Sequence, residues 1–182
     1  HAIEGEDTAC IRAVTRAGVD ILIYSTLSGE DGVNETQIDV YGTNGQAFWR
    51  WDEYSVHPAG GEPIVKKSEK ATSEEALRTV LDCIERGDQP PVTIEDTRNH
   101  VLLTNGAYES TGSIHTVPEK YIRQYAQSDG DEVTEIRGIN EIIHEAAARH
   151  ALFSELNVPW ASSPEKTMDL SQYKRFDKDA IS

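Results

Sequence analysis

The sequence predicts an α+β fold: an open, mostly antiparallel β-sheet with helices packed on one face. Three observations predict it. Polar and apolar residues alternate in the first third of the chain, and Asn44-Gly45 is typical of a type I′ hairpin turn. Two capped segments with helical periodicity follow, at 72–86 and 94–111. Because hairpins join neighbouring antiparallel strands, we expect one sheet that the two helices cover.

The predicted strands come first. Segment 6–13 alternates between its two faces, and segment 19–27 is dense in β-branched and aromatic residues, so both are expected to be strands. Segment 36–51 is the central hairpin. A further short strand is expected at 54–57, and the Gly- and Pro-rich segment 58–63 is expected to be irregular.

The first helix is predicted from Thr72, which forms a capping box with Glu75, to Gly87, which supplies the left-handed residue that ends a helix. Cys83 lies next to its apolar stripe and is interpreted as a small buried hydrophobe. The second helix begins with a similar pair and ends near Gly112. The stripe of the first helix consists of Leu77, Val80, Leu81 and Ile84, and the capping pair of the second is Thr93 with Asp96.

The rest of the chain is predicted as a short helix at 116–126, a turn at 128–131 and a longer helix at 139–156. Residues 157–182 are interpreted as an extended tail. The domain organisation is therefore one sheet-plus-helices domain over residues 1–156 and a tail over 157–182.

Charge and composition exclude several classes of function. With 32 acidic and 17 basic residues the net charge is −15, which argues against binding to nucleic acid or to anionic membranes. No apolar run reaches the roughly 20 residues that span a bilayer. Two cysteines are too few for a disulfide framework, so a reducing cytoplasm is expected. The chain begins with His1 and not Met, and we expect it to be a fragment.

No complete catalytic or metal-binding set is found. Gly42 and Gly45 form a GxxG that joins two strands, whereas a dinucleotide fingerprint lies between a strand and a helix. His144 and His150 are six residues apart, not the four of a zinc-protease motif, and Glu141 with His144 is a single ExxH where di-iron bundles need two. The hydroxyl groups also lack a nucleophile-elbow or triad context; they belong to Ser110, Ser113 and Ser154.

A family resemblance rests on the order of five segments. Glu6-Asp7-Thr8-Ala9 opens a strand, a second apolar strand follows, and Ile38 to Gly45 reads IDVYGTNG. Two helices follow at 75–87 and 95–112, and the second contains Tyr108-Glu109-Ser110. Residues 3–115 in this order resemble the C-terminal domain of the Gfo/Idh/MocA family, the glucose–fructose oxidoreductase and inositol dehydrogenase relatives. Residues after 116 resemble an extension found in some relatives.

The resemblance implies part of an NAD(P)-dependent sugar or polyol oxidoreductase. In the family a Rossmann domain holds the cofactor, and the C-terminal sheet forms the substrate wall and the subunit interface. This chain lacks the Gly-rich fingerprint and the Glu-Lys-Pro and Asp-x-x-x-His motifs. We therefore expect this chain to bind no NAD(H) and to be inactive alone. Catalysis would depend on the missing Rossmann domain and on the two missing motifs. The helix starts at Thr72 and Thr93 also carry acidic residues, which repel a phosphate.

The resemblance also implies where partners bind. The loop that leads into the hairpin would face a carbohydrate-like substrate, so Asn34, Glu35 and Gln37 are the candidate substrate-wall residues. We expect a homo-oligomer through the sheet face around Tyr24, Trp49 and Trp51, although both tryptophans could instead stack on a sugar ring. The alternative is a stand-alone, non-catalytic binding or assembly module of the same fold.

Overall fold

In a computed structural model of the chain, the residues described are 7–30, 36–67, 72–126, 130 and 132–177. Over these ranges the chain is α+β with antiparallel strand pairs, which confirms the predicted class. The helices are α1 (Thr72–Arg86), α2 (Ile94–Thr111) and α3 (Ile139–Arg149). The strands are β1 (Thr8–Val14), β2 (Asp20–Thr26), β3 (Gln37–Gly42), β4 (Gly45–Arg50), β5 (Glu53–Pro58), β6 (Ile64–Lys67), β7 (Ile122–Ala126) and β8 (Glu132–Ile136).

The strands form three sheets, in the orders β1-β2, β3-β4-β5-β6 and β7-β8, and not the single sheet that was expected. The chain divides into two compact units. One contains residues 1–33 and 97–182, and the other contains residues 34–96. Just after β2, Ser28 O accepts a hydrogen bond from Ile136 N at the end of β8, at 2.9 Å.

The central hairpin was predicted correctly, but its turn was not. Gly42 pairs with Gly45, so the loop residues are Thr43 and Asn44. Neither has a positive φ, whereas a type I′ turn requires one at both positions. The positive φ, +139°, belongs to Gly45 in β4. Ala59 N bonds to Asn44 O at 2.9 Å and holds the loop against the end of β5.

Helix α1 has the predicted bounds but not the predicted packing. Gly87 has a φ of +71°, and its N–H donates to Ile84 O at 3.3 Å, as expected for the residue that ends a helix. The apolar stripe remains in solvent, since Leu77 is 62% and Ile84 is 71% exposed. The expectation that α1 packs on the sheet is therefore wrong for this structure. The capping side chain of Thr72 lies outside the described residues.

Helix α2 begins with the predicted capping pair. Thr93 N donates to Asp96 Oδ2 at 2.8 Å, and Asp96 N donates to Thr93 Oγ1 at 3.3 Å. The Asp96 carboxylate accepts hydrogen bonds from the Thr93 backbone N–H and from the Thr93 hydroxyl, and these bonds, the backbone one first, hold the pKa of Asp96 below its usual value. Among the described residues, no helix is long and apolar enough to cross a membrane.

The prediction of a helix at 116–126 is wrong. Only Glu119–Tyr121 forms a 3₁₀ turn, and β7 follows at once. The Thr116-x-Pro118 pattern favours a helix start from neighbouring residues alone. Strand β7 forms because it pairs with β8, a segment about ten residues further on. Of the predicted turn at 128–131, residues 128, 129 and 131 lie outside the described residues.

Helix α3 ends at Arg149, seven residues before its predicted end. His150 adopts a left-handed conformation with a φ of 51°, and Ala151 N bonds back to Ala146 O at 3.0 Å. The hydroxyl of Tyr24 lies 3.0 Å from Ala146 O and 2.9 Å from Ala151 O. A hydroxyl from β2 thus lies at the end of α3, where its proton is shared between Ala151 O and Ala146 O, and Ala146 O also accepts the backbone bond from Ala151 N.

The core of the unit 1–33 with 97–182 lies around α3. Its buried apolar residues are Ile136, Ile139, Ala146 and Phe153. Phe153 stacks on Tyr24, with ring centroids 5.8 Å apart, and contacts Trp160 edge-on at 5.9 Å. Burial beside this core raises the pKa of Tyr24 to about 12 and that of the Cys10 thiol to about 11.

Candidate functional site

Of the three candidate substrate-wall residues, only Gln37 belongs to the part of the chain that the structure describes. Asn34 and Glu35 lie outside the described residues. Gln37 is the first residue of β3, and its side chain is exposed. A site at this position must therefore be built from Gln37 and its neighbours across the sheet.

A polar row runs across the sheet at Gln37. Register places Gln37 opposite Arg50, Arg50 opposite Glu53, and Glu53 opposite Lys67. Directly opposed residues point to the same face of a sheet, so one residue from each of four strands contributes to the row. The sequence analysis missed this row, because the pairing of Arg50, Glu53 and Lys67 depends on the register of the strands.

Two ion pairs order the polar row. The Arg50 Nη1 atom lies 2.5 Å from Asp39 Oδ1, and the Lys67 Nζ atom lies 3.2 Å from Glu53 Oε2. Arg50 also lies over the Phe48 ring, 5.7 Å from its centroid. Exposed pairs of this kind contribute only about 0–1 kcal/mol to stability. Their main effect is to hold the guanidinium and the carboxylates in place beside the amide of Gln37.

The polar row offers the chemistry of hydroxyl recognition. The amide of Gln37 can both donate and accept, the Arg50 guanidinium donates, and the Glu53 carboxylate accepts. Polyol hydroxyl groups are both donors and acceptors, so groups of these types match them. The row contains no nucleophile paired with a base, and it therefore supports binding and not bond cleavage.

The opposite face of the same sheet is apolar. It carries residues from all four strands. Several of them remain exposed to solvent, and Ile38 and Ile64 are each more than 50% exposed. Monomeric proteins rarely expose contiguous apolar patches above a few hundred Å². We name this surface the apolar face. It consists of Ile38, Val40, Ala47, Trp49, Tyr54, Val56 and Ile64, and Lys66, opposite Tyr54, is the charged residue at its β6 edge.

The expected oligomer surface needs one correction. Trp49 lies on the apolar face, and its ring centroid is 6.5 Å from that of Trp51, which follows β4 and is exposed. Tyr24 does not belong with them. It lies in the β1-β2 sheet, where it packs on Phe153 within a core. The sequence prediction failed here because it assumed one continuous sheet.

A shallow groove of about 470 Å³ lies at the end of α1. Two of its charged side chains form an ion pair, since Arg86 Nη2 lies 3.1 Å from Asp82 Oδ2. Cys83 is half-buried and donates to Gln89 O at 3.6 Å, so it lines a groove and is not the buried hydrophobe that was predicted. The groove is lined by Thr79, Asp82, Cys83, Arg86, Asp88, Gln89 and Pro91. In the described part of the chain, no group of three or more His, Cys, Asp or Glu side chains could hold a metal ion.

A buried carboxylate in α2 was also missed by sequence reasoning. Glu109 is only 6% exposed, and it accepts hydrogen bonds from the Tyr173 hydroxyl and from Asp177 N, the latter at 2.9 Å. These bonds, that from Asp177 N first, lower the pKa of Glu109. The sequence carries no signal for this role, because Glu109 is one of many acidic residues and its burial is visible only in the folded chain.

Fold and site define an α+β domain whose four-stranded sheet is polar on one face and apolar on the other. No family model, no curated protein and no solved structure matches this chain.

Proposed function

We propose that this chain is the substrate-recognition and oligomerisation domain of an NAD(P)-dependent sugar or polyol oxidoreductase. Three features support the proposal: the order of the Gfo/Idh/MocA-like segments in the sequence, the antiparallel sheet on which the IDVYGTNG hairpin lies, and the different chemistry of the sheet's two faces. The chain is inactive alone, and the cofactor, NAD or NADP, belongs to the missing Rossmann domain.

The observation that carries the proposal is the polar row at Gln37. The row lies where β3 begins, directly after the loop that the family resemblance assigns to the substrate wall. The neutral amide of Gln37 stands there beside charged donors and acceptors, and both kinds of group bond to hydroxyls of a polyhydroxylated ligand. In this proposal Gln37 and Arg50 bind substrate hydroxyls, and the hydride and proton transfers take place in the other domain.

The test is to join this chain to its Rossmann domain and replace Gln37 by alanine. We expect kcat/KM with a sugar or polyol substrate to fall about tenfold, about 1.4 kcal/mol, because a site built to bond hydroxyl groups loses one of its partners. Alanine at Asn34 or Glu35 is expected to act in the same direction. A loss of less than about threefold at all three positions would contradict the assignment of this loop and row to the substrate wall.

Gln46→Ala is the matched control. Gln46 lies on the same face of the same sheet as Arg50, but four residues along β4, which is about 14 Å away. The chemical change is identical, and we expect kcat/KM to change less than twofold. Equal losses for the two glutamine variants would show that the effect comes from the sheet as a whole and not from the polar row.

The apolar face favours a second candidate function, a stand-alone assembly module of the same fold. Both functions require self-association through the apolar face, so they are separated by the coding sequence upstream of His1. A GxGxxG strand–helix unit there would establish the oxidoreductase. Its absence would favour the assembly module.

Self-association itself is tested with the chain as it is. Sedimentation at increasing concentration is expected to show an oligomer, and Val40→Glu, which places a charge on the apolar face, is expected to shift it to monomer. The matched control is Ser55→Glu, on the opposite face of the sheet. A monodisperse monomer at every concentration would exclude the apolar face as an interface between copies.

A further inference from the structure

The C-terminal segment 165–177 lies along helix α2. At the C-terminal end of the helix, Ser110 O accepts bonds from Glu165 N at 2.9 Å and Lys166 N at 3.3 Å. Nearer its N-terminal end, Arg98 Nη2 donates to Tyr173 O at 3.1 Å. We call residues 165–177 the strap. Its contacts span thirteen residues of α2, from Arg98 to Ser110, about 18 Å along the helix axis.

Helix α2 is shaped to receive the strap. A Cβ atom at Gly106 would lie 2.7 Å from a methyl carbon of Leu170, so the Leu170 side chain would have to shift to make room for it. Glycine in a helix interior costs about 1 kcal/mol relative to alanine, so a packing reason is expected. Tyr108 adds an edge-on contact with Phe176, with ring centroids 6.2 Å apart. The strap therefore fills a notch in the helix.

A single carboxylate holds the far end of the strap. Oε1 of Glu109 accepts both the Tyr173 hydroxyl and the backbone N–H of Asp177. Within the described ranges, Glu109 forms no ion pair with a lysine or arginine. Its burial under the strap is thus compensated by these two donors and by the charge of Lys166, all of which belong to the strap. A side chain at this position that accepts neither bond would hold the strap less tightly.

An exposed linker lies just before the strap. Residues up to Ala161 pack against the core cluster around Phe153. Ser162, Ser163 and Pro164 are exposed, and the strap begins directly after them. Core packing and strap packing thus use different partners.

We propose that Glu109 is the latch of a releasable strap. Residues 165–177 leave α2 as one unit while the core remains folded, and their departure uncovers the notch at Gly106. The latch acts through the two bonds at Oε1, so weakening either bond raises the fraction of molecules with an open strap.

The experiment is limited trypsin digestion of the full chain, with the fragments identified by mass spectrometry. Lys174 and Arg175 are exposed cleavage sites inside the strap, and Arg149, exposed at the end of α3, is the reference site outside the strap. When opening and closing are faster than cleavage, the cleavage rate reports the open fraction. We expect strap cleavage to rise about threefold in Tyr173→Phe, at least fivefold in Glu109→Gln and at least tenfold in Glu109→Ala, with cleavage after Arg149 changed less than twofold.

Glu95→Gln is the matched control, since it makes the same chemical change in an exposed carboxylate of the same helix. It is expected to leave strap cleavage within twofold of the original chain. Unchanged strap cleavage in both Glu109 variants would show that Glu109 is not a latch. A parallel rise at Arg149 would show that Glu109 stabilises the whole unit and that the strap does not open separately. If Glu109→Ala fails to fold, the other two variants decide the matter.

Discussion

Replacing Phe153 by alanine is expected to lower the free energy of unfolding by about 3–5 kcal/mol, the largest stability effect that we predict. Phe153 is 4% exposed and lies between Tyr24 and Trp160. Its removal leaves a cavity at the point where β2, α3 and the chain after α3 meet, and aromatic contacts of this kind add about 0.5–1.5 kcal/mol each beyond area burial. Urea denaturation followed by circular dichroism measures the change.

Phe176→Ala is the control for Phe153→Ala. Phe176 has the same side chain, but it is half-buried in the strap and contacts Tyr108 rather than the core. We expect Phe176→Ala to lower the free energy of unfolding by less than about half as much as Phe153→Ala does. If the two substitutions destabilise the chain equally, or if Phe153→Ala costs less than about 1 kcal/mol, Phe153 is not the centre of the core.

Replacing Gly45 by alanine is expected to disrupt the β3-β4-β5 pairing, at a cost of about 3 kcal/mol or more. Two causes add. The φ of Gly45 is +139°, which side-chain-bearing residues rarely adopt, and an added Cβ would lie 2.3 Å from His57 O and 2.8 Å from Pro58 Cα. Backbone atoms of a paired strand cannot move aside as a flexible side chain can. Amide hydrogen exchange along β4 and β5 measures the loss of protection.

Gly60→Ala is the matched control for Gly45→Ala. Gly60 lies in the loop just beyond β5, and an added Cβ would meet no atom within 4 Å. We expect exchange in β4 and β5 to remain unchanged, with stability altered by less than about 0.5 kcal/mol. Normal protection of β4 and β5 in Gly45→Ala would mean that the hairpin register differs from the one described.

The elements predicted correctly from the sequence have local signals. The bounds of α1 and α2 follow from capping residues and terminal glycines, and the bonds between Thr93 and Asp96 confirm one of these signals directly. Strands β1, β3 and β4 follow from alternation, and β2 follows from its β-branched and aromatic residues. Features without such signals were missed. Strand β7 is stabilised by its partner β8, and α3 ends where Tyr24, more than a hundred residues away in the sequence, bonds to Ala146 O and Ala151 O.

The sequence by itself determined the α+β class, the hairpin, the two helices and the position of Gln37 at the start of a strand. Tertiary structure alone decided which residues stand beside Gln37 and which stand beside Glu109. Arg50, Glu53 and Lys67 join Gln37 only through the register of four strands, and Tyr173 reaches Glu109 across 64 residues of chain. The physical reason is the range of the forces. Caps and turns depend on neighbouring backbone groups, whereas burial and pairing depend on residues brought together by the folded chain.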